Sequence, residues 1–133
     1  MNKKKILIVD DDEDLLLGLR VRLAANRYAT VAAKDADSAV QMALEENPDL
    51  ILLDVGLPED NGFMVMEELQ KFDSVKSIPV VIVTGRPANL YENVALLAGA
   101  KAYLQKPIDN TALLATLEAV LKDSESTGES RGQ

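Results

Sequence analysis

The sequence predicts an α/β fold: a doubly wound, five-stranded parallel sheet in the order 2-1-3-4-5, covered by helices on both faces. Three observations predict it. The segments KILIVD (5–10), LILLD (50–54) and PVVIVT (79–84) are continuous apolar runs, the pattern of parallel strands buried on both faces. These and two further strand-like segments alternate with helix-like ones, and right-handed crossovers leave few topologies for such a chain. The second strand-like segment, YATVAA (28–33), is the least apolar, which suits an edge.

Each element has a local reason. After the first strand, residues 12–26 open with acids and reach Asn26, a helix whose start complements the macrodipole. Asp35 or Asp37 can cap the next helix, which runs through Ala39, Val40, Ala43 and Leu44 to Glu46 before Pro48 closes it. Asn61 and Gly62 make the turn into a helix carrying Met64, Met66, Leu69 and Phe72, with the two methionines as partly buried filler. A fourth helix is expected over 88–98, stopped by Gly99. AYLQK (102–106) is the last strand, broken by Pro107, and Asp109 opens a fifth helix through Leu113, Leu114, Leu117 and Leu121.

Composition bounds the function. The chain has 133 residues, 47% of them apolar, enough for one globular domain, expected over 1–122. Beyond Lys122 the run DSESTGESRGQ reads as a polar, disordered tail or the start of a linker. The net charge of −8 disfavours direct nucleic-acid binding, and Lys3, Lys4 and Lys5 read as a solvated terminus. There is no cysteine and no histidine, which excludes disulfide, thiol and imidazole chemistry. No segment suits a membrane span and no signal peptide precedes the first strand, so a soluble cytoplasmic protein is expected.

The strand ends carry the chemistry. The first ends in Asp10, followed by Asp11 and Asp12; the third ends in Asp54, the fourth in Thr84, the fifth in Lys106. In an open parallel sheet all of these lie at the carboxyl edge, where ligands bind at the point of strand-order reversal. In this order the reversal falls between the first and third strands, the two that end in carboxylates. Carboxylates converging there repel each other. A hard divalent cation relieves that, and Mg²⁺ accepts one or two carboxylates while keeping positions open for a phosphoryl oxygen. Lys106 adds positive charge and Thr84 a hydroxyl donor, which together suit phosphoryl transfer onto a carboxylate. Taken singly, an Asp after a strand is more often a turn or capping residue, and Asp12 and Asp14 read as first-turn helix acids.

With ILIVDDD, DLILLDVGLPEDNGF, VVIVTG and GAKAYLQKP at these spacings, the chain resembles the receiver domain of two-component response regulators over roughly residues 4–122. The resemblance implies a flavodoxin-like (βα)5 sandwich. It implies that Asp54 is the phosphoacceptor, and that Asp11, Asp54 and the backbone carbonyl of Gly56 bind Mg²⁺ (or Mn²⁺), with Asp10 acting through a water. It implies that Thr84 and Lys106 contact the phosphoryl group, that Tyr103 is the switch aromatic, that the Lys106–Pro107 bond is cis, and that Pro58 and Gly62 shape the loop after the acceptor. The implied donor is a phosphohistidine of a sensor kinase or a histidine phosphotransfer protein. The only catalysis implied is self-phosphorylation and self-dephosphorylation. The switching surface is the face of the fourth helix, fifth strand and fifth helix, where a homodimer can also form. In receivers the first helix commonly docks on the kinase; Leu17 and Val21 suit that, or are scattered exposed apolar residues.

One departure stands out. Position 56 usually carries a side chain in this family and here is glycine. An open approach there favours water and a short-lived phosphoryl group, which Arg86 can oppose; the alternative is that Gly56 eases the turn. Three other functions compete. A haloacid-dehalogenase-type phosphatase wants a second Asp where Gly56 stands. A nucleotide-binding module wants a glycine-rich loop, and neither G-x-G-x-x-G nor a Walker motif occurs. An interaction-only receiver does not need the full set of Asp10, Asp11, Asp54, Thr84 and Lys106, whereas a phosphorelay intermediate does.

Overall fold

The structure, a computed structural model, describes residues 3–56, 62–85, 96 and 98–131, with the backbone alone over 126–131. Among these residues the strands are β1 (Lys5–Val9), β2 (Ala29–Ala33), β3 (Leu50–Leu53), β4 (Val80–Thr84) and β5 (Ala102–Gln105). The helices are α1 (Glu13–Ala25), α2 (Ala36–Glu46), α3 (Gly62–Leu69) and α4 (Asn110–Arg131), the last being the fifth predicted helix. The helix expected over 88–98, with Pro58, Asn61 and Arg86, lies outside the described residues.

All strand pairs are parallel and the order is β2-β1-β3-β4-β5, as the apolar runs predict. β1, β3 and β4 are buried nearly end to end because each supplies both faces. Leu7, Val9, Ile51, Leu53 and Ile82 pack with Ala39, Ala43, Val65, Met66 and Leu69 of α2 and α3. Ile6, Ile8, Leu50, Leu52, Val81 and Val83 pack with Leu16, Leu19 and Leu23 of α1 and Leu113, Leu117 and Leu121 of α4. Full burial of each such side chain is worth about 2 kcal/mol, so these runs hold the strand ends in place.

Helix ends follow capping chemistry. Asp12 caps α1, accepting from the Asp14 and Leu15 amides at 3.0 and 3.2 Å. Asp35, of the two candidates, caps α2 through the Ser38 amide at 2.8 Å. Asn47, in the left-handed region, closes that helix ahead of Pro48. Asp109 accepts from the Ala112 amide at the start of α4. Gly99 has φ of +108°, a conformation open chiefly to glycine.

Two expectations need correction. Met66 is buried but Met64 is exposed, because neighbouring positions on a helix face different ways. The backbone expected to become an irregular tail after Lys122 instead stays helical to Arg131. The composition change marks where burial stops, at Leu121, not where the helix stops. Lys122 to Glu125 contain no helix breaker, and Glu125 pairs with Lys4 at 2.8 Å.

Candidate functional site

Sheet register assembles the site. Val9 aligns with Leu53 across β1 and β3, so the next residues, Asp10 and Asp54, emerge side by side. The Asp54 amide donates to the Val9 carbonyl at 2.9 Å and the Asp10 amide to that of Ala33 at 3.1 Å. Thr84 aligns with Gln105 across β4 and β5, and the Lys106 amide donates to the Thr84 carbonyl at 2.8 Å. Residues from four parts of the chain thus meet at the carboxyl edge.

The two aspartates are nearly closed off, 2% exposed for Asp10 and 5% for Asp54, and Thr84 is 1% exposed. Buried carboxylates require partners. Lys106 bridges them: its Nζ donates to Asp10 Oδ2 at 2.8 Å and to Asp54 Oδ2 at 3.2 Å. The Gly56 amide donates to Asp54 Oδ1 at 2.7 Å, and the Asp12 amide to Asp10 Oδ1 at 2.9 Å. Burial pushes the Asp10 carboxyl above its ordinary pKa; the hydrogen bonds from Lys106 and the Asp12 amide oppose the rise, and the charge of Asp54 adds to it. Burial pulls Lys106 down, but its hydrogen bond to Asp10 and the charge of Asp54 outweigh that and hold its pKa above the ordinary value. Lys106 is therefore a permanent cation between two carboxylates.

Asp11 is exposed beside them. Carboxylate oxygens of Asp10, Asp11 and Asp54 all lie within 4.8 Å of one another. All-oxygen donors at that spacing, one exposed and two buried, fit a hard divalent cation. The Lys106–Pro107 bond is cis. Tyr103, opposite Ile82 on β5, is half-buried against the core on the α2 and α3 side. Leu17 and Val21 of α1 are 65% and 62% exposed.

Gly56 shows what sequence reasoning only suspected. A Cβ there would lie 3.1 Å from Asp54 Oδ1 and 3.7 Å from Thr84 Oγ1. Any side chain at 56 would start directly over the Asp54 carboxylate, so glycine keeps that approach clear.

The family whose pattern matches is the response regulator receiver domain, over residues 6–118. The chain is 35% identical over 117 residues to protein PilH of Pseudomonas aeruginosa, covering 88% of this chain and 97% of PilH. It is 33% identical to the polar-differentiation response regulator DivK of Brucella anthropi, covering 91% and 98%. It is 34% identical to the transcriptional regulatory protein PhoP of Bacillus subtilis, covering 92% of this chain but 50% of PhoP. The solved CheY-like receiver domain of Methanospirillum hungatei superposes with a TM-score of 0.85 at 29% identity, covering 95% of this chain and 99% of that one. The sheet order, the acids at the reversal point and these matches agree: the chain belongs to the response regulator receiver family and is a receiver of two-component signalling.

Proposed function

We propose that Asp54 is the phosphoacceptor, within a receiver unit spanning 1–122 and followed by a polar tail or the start of a linker at 123–133. The observation that carries this is the convergence of Lys106 on both Asp10 and Asp54 beside an exposed Asp11. An Asp54 oxygen attacks phosphorus in line. The bond from phosphorus to the donor's imidazole nitrogen breaks and its electron pair leaves with the imidazole, giving an acyl phosphate. Asp11, Asp54, the Gly56 carbonyl and, through a water, Asp10 would hold Mg²⁺ or Mn²⁺, which would supply charge neutralisation at the phosphoryl oxygens. Lys106 supplies a second cation, and Thr84 a hydroxyl donor, at the same edge. Hydrolysis at Asp54 resets the site, and no other substrate is turned over. Acetyl phosphate with Mg²⁺ is expected to add one phosphoryl group, mapped to Asp54 by mass spectrometry after digestion. Addition elsewhere, or equal addition in EDTA, refutes the reading.

The donor is a phosphohistidine of a sensor kinase or phosphotransfer protein in the cytoplasm, docked on the α1 face bearing Leu17 and Val21. In Leu17→Asp, transfer from the cognate kinase is expected to fall while acetyl phosphate labelling and the melting temperature stay unchanged. Transfer at the wild-type rate would remove α1 from the docking surface.

Phosphorylation adds up to two negative charges where carboxylates already meet. Thr84 shifts toward them, vacating space that Tyr103, from the next strand, fills. The face of the helix expected over 88–98, β5 and α4 then repacks, and this face is the output surface and the surface for a homodimer. A structure with bound beryllofluoride is expected to show Tyr103 fully buried; a solvent-facing Tyr103 there excludes the coupling.

Gly56 sets the lifetime of the phosphoryl group. Gly56→Met should lengthen it severalfold, because the side chain starts 3.1 Å from Asp54 Oδ1 and shields the acyl phosphate from water. Equal dephosphorylation rates in wild type and variant would assign Gly56 to the turn alone.

A further inference from the structure

At the opposite edge of the sheet, around the amino ends of β4 and β5, lies a cavity of about 460 Å³. Its floor is formed by the buried side chains of Met66, Leu69, Val75 and Val80. Lys76 and Lys101 also line it, as do Asp123 and Ser124 of α4. β4 is five residues long, which separates the cavity from Thr84 by about 13 Å. It is therefore distinct from the acidic site.

We propose that this cavity binds a small amphipathic anion, with a ring or short chain on the apolar floor and an acidic head at Lys101. Three observations carry this. Its volume lies within the usual range for small-molecule sites, and its lining joins apolar side chains to polar ones from several elements. Lys76 already pairs with Asp73 at 3.1 Å, whereas Lys101 makes no ion pair among the described residues, so one cation stands available in a chain of net charge −8. Asp123 repels an acidic head from the α4 wall and so directs it toward Lys101. The volume admits a one- or two-ring body and not a helix, which is about 10 Å across.

The test uses the full chain and naphthalene-2-sulfonate as probe, a two-ring body with an anionic head. Amide spectra should show saturable one-to-one binding, with the largest shifts at Val75, Val80 and Gly99 and none at Asp10 or Asp54. Lys101→Glu should weaken binding about tenfold, by replacing an attractive charge with a repulsive one. Ser124→Trp should abolish it by filling the cavity from α4, with the fold intact by circular dichroism. Shifts centred on Leu17 and Val21, binding that does not saturate, or wild-type affinity in Lys101→Glu would overturn the proposal.

Discussion

Asp54→Asn is expected to take up no phosphoryl group from acetyl phosphate and to fold at least as stably as the wild type. The amide has the carboxylate's shape, and its oxygen can still accept from the Gly56 amide, which donates to Oδ1 at 2.7 Å. What is lost is the anion. An amide oxygen is a poor nucleophile and cannot form an acyl phosphate, so labelling drops below detection instead of declining in part. Lys106 keeps Asp10, its nearer partner at 2.8 Å, so no buried charge is stranded. Stability should hold or rise because two carboxylates, 2% and 5% exposed, share a single ammonium, and removing one relieves a repulsion. The same substitution acts on Asp10. Its folded pKa is raised, so the folded state binds more protons than the unfolded state between the unfolded and folded values, and stability falls as pH rises through that window. Without the Asp54 charge the upper end of the window moves down. Urea unfolding between acid and neutral pH reads this directly. Labelling of the variant at the wild-type rate would move the acceptor to another carboxylate, and a large loss of stability would make Asp54 a structural residue.

The site was legible because its parts sit at strand ends. A residue that follows an uninterrupted apolar run is placed by the sheet, and Asp10, Asp54 and Thr84 each follow or end one, while Lys106 follows the last residue of β5. Parallel register then does the rest, since Val9 beside Leu53 leaves no other place for the two aspartates. What the sequence could not show depends on contacts between distant residues or on backbone groups. The Gly56 amide on Asp54 Oδ1 has no side-chain signature. The double engagement of Lys106 needs side-chain distances that no motif contains. The cavity at the amino edge is assembled from segments around 66–80, 98–101 and 120–124, none of which carries a pattern of its own. The continuation of α4 past Lys122 was hidden for a different reason. Periodicity reports burial, and a helix that leaves the core loses the pattern before it loses its backbone hydrogen bonds.

Gly62→Val is expected to cost about 4 kcal/mol, more than most point substitutions, because it overpacks backbone against backbone. Gly62 opens α3 and is buried against the backbone of Val55 and Asp54, the proposed acceptor. A Cβ there would lie 2.4 Å from Val55 Cα and 2.8 Å from the Asp54 carbonyl oxygen. Neither atom belongs to a flexible side chain that could swing aside, so the start of α3 or the Asp54 backbone must move. Moving α3 strains the packing of Val65, Met66 and Leu69; moving the Asp54 backbone tilts its carboxylate away from Lys106 and Asp11. Glycine is thus required by close approach, not by backbone conformation. Gly62→Ala, with the same clash and less bulk, should cost about half as much. Urea midpoints measure the stability loss. Acetyl phosphate labelling, under conditions where each variant is fully folded, separates the second effect, because a displaced Asp54 loses labelling rate even in intact molecules. Native stability in Gly62→Ala would show that the Asp54 backbone and α3 can part without cost, and wild-type labelling in folded Gly62→Val would show that α3 absorbs the strain and leaves the acceptor where it was.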